Sequence, residues 1–245
     1  MVTLNSCPVC NSYLIADYKV ISGGGLIVEI IPGVTINAQI VVRYCVCRSC
    51  SLIFQNPRLS DAELGKYYST GFYRKTIKQP PEGMDAAEKD RAKIDTKIIR
   101  RHLGEVGSHL DIGCGQGHML DAIGAAVRVG TESDLGYVAV KGVKVYKNMS
   151  QVRPKKFDLV SSLHVLEHVP HPLVFLKQIA RFVKKDGYLL IEVPSWKTRG
   201  GPLGFVHLSH FEPDVLKIMC LKAGLKVIET EFTPNLILIC KLNHA

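Results

Sequence analysis

Leu110-Asp111-Ile112-Gly113-Cys114-Gly115-Gln116-Gly117, with Val129-Gly130-Thr131-Glu132 after it, is the stretch that decides the fold of this 245-residue chain. An apolar run enters a glycine-rich turn, a helical pattern leaves it, and a second apolar run ends on an acid. That order predicts parallel strands joined by a helix, with a nucleotide-type ligand held at the turn. Glycine lacks a Cβ, so at Gly113, Gly115 and Gly117 the chain can bend sharply and a ligand can lie against the backbone. Asp111 and Glu132 fall at the carboxyl ends of adjacent strands, where a carboxylate accepts hydrogen bonds from an amine or from ribose hydroxyls. The dinucleotide pattern G-x-G-x-x-G would need glycine at position 118, and His118 stands there.

Working outward, three later stretches continue the theme. Phe157-Asp158-Leu159-Val160-Ser161-Ser162-Leu163 reads as another strand, followed by the turn His164-Val165-Leu166-Glu167-His168-Val169. Lys184-Lys185-Asp186-Gly187 and Tyr188-Leu189-Leu190-Ile191-Glu192-Val193 read as a glycine turn and a fifth strand. The segment from His207 to Leu216, leading to Ala223-Gly224-Leu225, reads as a loop and helix before a sixth. In this order the motifs resemble class I S-adenosylmethionine-dependent methyltransferases. The resemblance implies an α/β fold, a doubly wound seven-stranded Rossmann-like sheet of order 3-2-1-4-5-7-6 with strand 7 antiparallel. It also implies cofactor roles. Asp111 would touch the methionine amino group, Gly113 and Gly115 would lie under the cofactor with Gly117 completing the turn, Glu132 would take the ribose hydroxyls, and Ser133 would flank the adenine. Relatives usually place an aspartate near the position of Asn148-Met149; here the Asn148 side-chain oxygen or the Met149 backbone amide would serve the adenine. Leu135 to Lys141 allows at most two helical turns, so that edge of the sheet should be thin.

Composition agrees with a folded enzyme. Apolar residues make up 47 % of the chain and the mean hydropathy is +0.12. No apolar run approaches the ~20 residues that span a bilayer, and the N-terminus has neither a basic nor an apolar leader pattern, so a cytoplasmic protein is expected. In that compartment thiols stay reduced, and the eight cysteines should not be read as a disulfide framework.

Two C-x-x-C pairs, Cys7-Pro8-Val9-Cys10 and Cys47-Arg48-Ser49-Cys50, instead have the spacing of knuckles that present four thiolates to one structural zinc ion. Cys45 lies two residues before Cys47 and is an alternative fourth ligand. Between the knuckles two short strands are expected at 26–31 and 38–44, with Gly23-Gly24-Gly25 and Pro32-Gly33 as turns. Leu52-Ile53-Phe54-Gln55-Asn56-Pro57-Arg58 follows, then Ser60 and Glu63 in capping-box spacing. With Tyr67-Tyr68, this head resembles a zinc-ribbon subgroup of methyltransferases found in sugar and glycan modification. The expected organisation is a zinc-ribbon-like module over 1–58, a helical connector or lid over 59–100 and a methyltransferase domain over 101–245. The long helix of the connector should begin near Met84 and carry Ile94, Ile98 and Ile99, with the segment from Gln79 to Gly83 as a lid and Tyr67, Tyr68, Phe72 and Tyr73 closing over the cofactor or packing the modules together.

If the acceptor is a hydroxyl, a base titrating near neutrality helps most. His164 follows the fourth strand, and His207 and His210 lie on the loop beyond the fifth; His207 or His164 is the expected base. His168 reads as a structural tie of its turn and His171 as an exposed helix start. The expected reaction is O-methylation of a sugar, nucleotide-sugar or glycan intermediate. The net charge of +9 suits an acidic small-molecule acceptor and equally an RNA partner, so an RNA base methyltransferase with a zinc-ribbon RNA-binding head is the alternative. The basic groups Arg74-Lys75, Arg100-Arg101, Lys155-Lys156, Lys184-Lys185 and Lys197 with Arg199 would carry it, and solvated surface explains such dispersed groups equally well.

Overall fold

The structure, a computed structural model, describes residues 1–31, 34–69, 81–153, 156–195 and 207–243, with side-chain detail outside 21–40 and 81–84. The expectations placed on Pro32-Gly33, Phe72, Tyr73, Arg74-Lys75, Gln79-Pro80, Lys155, Lys197 and Arg199 fall outside the described residues.

The apolar run that enters the glycine turn is β4 (Ser108–Ile112), buried along its whole length. A strand buried on both faces belongs at the centre of a parallel sheet, and that is where it lies. It pairs in parallel with β5 (Val127–Thr131) on one side and β7 (Phe157–Leu163) on the other. Beyond β5 comes β6 (Lys144–Tyr146), and beyond β7 comes β8 (Val183–Val193), both parallel. The hairpin of β10 (Leu225–Thr233) and β11 (Asn235–Leu242) closes the sheet, with β11 antiparallel to β8. The sheet therefore runs β6-β5-β4-β7-β8-β11-β10, which is the order 3-2-1-4-5-7-6 expected from the sequence.

Alternation divides the core between the two faces. Leu189, Ile191, Leu236 and Leu238 join α4 (Pro172–Ala180) and α5 (Pro213–Lys222) through Phe175, Leu176, Ile179, Leu216 and Met219. Leu190, Ile237 and Ile239 face the other way, onto Ile98 and Ile99 of α2 (Pro81–Ile99) and Met119 and Ile123 of α3 (His118–Ile123). Ile94, expected beside Ile98 and Ile99, is 42 % exposed. Burying each leucine or isoleucine is worth roughly 1.5–3 kcal/mol, so both faces are strongly held. As expected, the chain between β5 and β6 forms only a short 3-10 turn, Leu135–Tyr137, capped by the Asp134 side chain.

The N-terminal module differs from its expectation. Instead of short strands broken at Gly23-Gly24-Gly25, β1 (Ile15–Ile31) runs through the glycines and pairs antiparallel with β2 (Val34–Cys47), shifting register between Gly23 and Leu26. Glycine inside a strand marks an irregularity as readily as a turn. β3 (Ile53–Gln55) pairs with β2, and the fourth strand comes from far along the chain: β9 (Ser209–His210) pairs antiparallel with β3 through Ile53 and Phe54. The capping box forms, with the Ser60 N–H donating to Glu63 at 2.8 Å and the Glu63 N–H donating to Ser60 Oγ at 3.3 Å, and starts α1 (Asp61–Ser69). Among the described residues no helix is long and apolar enough to cross a membrane.

Candidate functional site

A cavity of about 1320 Å³ opens outside the carboxyl ends of β4, β5 and β7, roofed by α1 and α2. Open α/β sheets bind ligands where neighbouring strands diverge from a central one, and β4 is that strand. Sites for one small ligand run to roughly 1,000 Å³ at most, so this cavity has room for a nucleoside cofactor and an acceptor together.

One end is built on the glycine turn. Gly113 has φ 74°, and a Cβ there would stand 2.5 Å from Val165 Cγ2. Glu132, only 9 % exposed, reaches back from the end of β5 to accept the Gly115 N–H at 3.0 Å, and its other oxygen accepts from the Asp134 N–H at 3.0 Å and Ser133 Oγ at 3.2 Å. Asp111 is buried beside it. Its Oδ1 accepts from Ser161 Oγ at 2.6 Å, and Ser161 accepts in turn from His109 Nε2 at 2.7 Å. Burial holds His109 neutral, near 3, and because the Ser161 hydroxyl proton is given to Asp111, His109 Nε2 is the donor of the pair. Burial also pushes Asp111 up to about 6, against the pull of Ser161 and Arg91. Ser133, Asn148 and Met149 line the same end. The Asn148 side-chain oxygen already accepts the Ser150 N–H at 3.2 Å, capping a short 3-10 turn. Gly117 does not line the cavity; at φ 96° it starts α3, where a Cβ would meet Val140 Cγ1 at 2.3 Å. Its part is close packing behind the turn.

The other end carries histidines. His164, at φ 54°, stands between two buried carboxylates, its Nδ1 3.3 Å from Glu167 and its Nε2 3.4 Å from Glu192. Burial alone would lower its pKa, yet the two acids raise it to about 9. The two carboxylates thus favour the charged imidazolium over the neutral ring that a base requires. Asn235 donates to the same Glu192 carboxylate, Arg91 Nε lies 3.5 Å from it, and Asp95, buried on α2, is pushed up to about 8 by burial and by the Glu192 charge. His168 lines the cavity, with Nδ1 3.1 Å from the Tyr68 hydroxyl of α1 and Nε2 3.7 Å from Glu167. His207 lines it too, its ring 4.9 Å from that of His168.

His210 departs from expectation. Pairing in β9 turns it into the interior, 3 % exposed, with its ring 5.3 Å from Tyr44, and burial holds it neutral, near 3. It does not line the cavity. His171 pairs with Asp61 at 3.0 Å on the surface. The residues that the motifs did not flag are Glu167, Glu192, Asn235 and the relay His109–Ser161. An acid in the apolar run Leu189-Leu190-Ile191-Glu192-Val193 was the visible signal for one of them, since a buried charge needs partners.

Away from the cavity, the Sγ atoms of Cys7, Cys10, Cys47 and Cys50 all lie within 4.8 Å of one another. Cys7 is 3.6 Å from Cys50 and Cys10 is 3.5 Å from Cys47. Four thiolates ~2.3 Å from one zinc ion stand ~3.8 Å apart, so the set fits that ion. Cys45 is not part of it; its Sγ points to Asp17 Oδ1 at 3.9 Å.

A family model described as "Methyltransferase domain" matches residues 86–230 of this sequence. The chain belongs to this methyltransferase-domain family. The methyltransferase is similar to the ubiquinone biosynthesis O-methyltransferases of Yersinia enterocolitica and Yersinia pestis, at 25 % and 28 % identity over 105 residues. Those matches cover 37 % of this chain and 43 % of each relative, less than half the relative's length. Among solved structures, the methyltransferase shares its fold with the 1,6-didemethyltoxoflavin-N1-methyltransferase of Burkholderia thailandensis, at TM-score 0.62 and 16 % identity, over 85 % of this chain and 98 % of that one. It also shares it with the magnesium protoporphyrin IX methyltransferase of Synechocystis, at TM-score 0.56 and 17 % identity, over 76 % and 98 %.

Proposed function

We propose that this methyltransferase transfers a methyl group to a hydroxyl of a small-molecule acceptor, with a sugar, nucleotide-sugar or glycan intermediate as the acceptor class, in the cytoplasm. The observation that carries the reading is one cavity with two chemically different ends: a glycine turn with two buried acids, and a wall of His164, His168, His207 and Asn235. Relatives named O-methyltransferases support oxygen as the acceptor atom; the acceptor class rests on the resemblance of the cysteine-bearing head.

The bound cofactor supplies a methyl carbon already activated by its sulfonium, so the protein's work is alignment and exclusion of water. Asp111 would hold the methionine amino group with its second carboxylate oxygen. Gly113 and Gly115 would support the cofactor, Glu132 would accept from the ribose hydroxyls, and Ser133, Asn148 and Met149 would serve the adenine. His207 has the place for a base: it lines the cavity, whereas His210 is buried behind it and His164 is held between Glu167 and Glu192. It would take the proton that the acceptor hydroxyl gives up on methylation.

The four cysteines hold a structural zinc ion that takes no part in the reaction, and residues 1–58, 59–100 and 101–245 act as head, connector and catalytic domain. Methyl-labelled cofactor offered with nucleotide sugars, glycans and RNA tests the acceptor. Label in a sugar hydroxyl is expected; label in RNA alone would overturn the reading.

A further inference from the structure

We propose that the cysteine-bearing module braces the acceptor end from behind the cavity, with Gln55 and Tyr44 as positioning residues for His207. The His207 carbonyl receives two side-chain donors from that module: the Tyr44 hydroxyl at 3.0 Å and Gln55 Nε2 at 2.9 Å. Gln55 Nε2 also donates to the Tyr44 oxygen at 3.2 Å, using its second hydrogen. Tyr44 is 1 % exposed and Gln55 2 %. Polar side chains buried so deeply persist where their hydrogen bonds are made, and here both are directed at one backbone oxygen of the cavity loop.

The stitching continues along the chain. The Gln55 N–H donates to the Leu208 carbonyl at 2.9 Å, and the Leu208 N–H donates to the Glu167 carbonyl at 2.8 Å. Residues 207–210 are thus tied to the head on one side and to the turn after β7 on the other. β9 has only two residues, too short a ladder to fix what precedes it, so the carbonyl clamp sets where His207 begins. From there its imidazole reaches the neighbourhood of Glu167 and His168, the polar atoms of all three lying within 4.8 Å of one another. Gln55 is the polar residue of the run Leu52-Ile53-Phe54-Gln55, and both its side-chain amide and its backbone N–H reach residues 207 and 208.

The inference rests on the reading of His207 as base only for its catalytic consequence: an error of about 1 Å at a reacting group costs on the order of a hundredfold in rate. The placement itself is measured without turnover. Full-length protein labelled at histidine and saturated with S-adenosylhomocysteine is compared by NMR with Tyr44→Phe, Gln55→Met and the double variant. The cross-peak between the His168 and His207 rings should weaken in each single variant and vanish in the double, with His109 resonances in the sheet and S-adenosylhomocysteine affinity unchanged. An unchanged cross-peak in the double variant overturns the proposal. So does a general shift that includes His109, which would mark loosening of the whole fold. Separately, full turnover in His207→Ala would remove the base reading and leave the placement result standing.

Discussion

Glu132 Oε2 accepts the backbone N–H of Gly115 at 3.0 Å, which ties the acid at the end of β5 to the glycine turn after β4. The same carboxylate accepts from the Asp134 N–H, so it is aimed before any ligand arrives. Glu132→Ala should therefore weaken S-adenosylhomocysteine binding on the order of a hundredfold, equivalent to ~3 kcal/mol or two charge-assisted hydrogen bonds. Glu132→Gln, which keeps one oxygen acceptor, should lose less. Titration calorimetry reads both, and wild-type affinity in the alanine variant would remove the ribose assignment.

Asp111 gives a pH signature. Burial raises its folded-state pKa from 3.8 to about 6, and an ammonium group binds the ionised form. Cofactor affinity should be level above pH 6 and fall about tenfold per pH unit below it. Asp111→Asn should bind weakly and without that slope. A wild-type curve flat from pH 7 to pH 5 would refute the direct contact.

His164 governs stability in the opposite range. Its pKa is raised from 6.5 to about 9, so its contribution is complete below about pH 6.5 and is lost as pH rises through 9. The difference corresponds to about 3 kcal/mol. Denaturant unfolding at pH 6 and pH 9.5 should show that loss. In His164→Asn, which tolerates the positive φ, two buried carboxylates are left without their cation, and a cost of about 3–5 kcal/mol is expected at pH 6. An unaltered pH profile in the variant would show that the clamp is not formed.

The four-cysteine set predicts about one zinc per chain in protein never exposed to chelator. Cys47→Ser should lower that content, and chelation should release amide protection from β2 and β3, because metal binding is part of the folding free energy of so small a module. Protein containing far less than one equivalent would exclude the assignment.

The sheet was legible because its signals are local. Gly113 to Gly117 and the acid at 132 sit within one strand–helix–strand unit, and Leu189 to Val193 and Leu236 to Cys240 are apolar runs long enough to declare buried strands. The histidines were harder to read. His164 and His210 lie on the right segments, but Glu192, which faces His164, and Tyr44, which packs on His210, come from elsewhere in the chain. Charge state depends on such neighbours, and no spacing rule brings Glu192 to His164. The glycines at 23–25 misled for a related reason: partner-strand register, not local composition, decides between a turn and a bulge.

The two residues of β9 also set an order of events during synthesis. The cysteine module leaves the ribosome before β9 does, and its sheet stays one strand short until Ser209 and His210 follow. A pairing so distant in sequence forms late, so until then the edge of β3 lies open to chaperones and to other nascent chains.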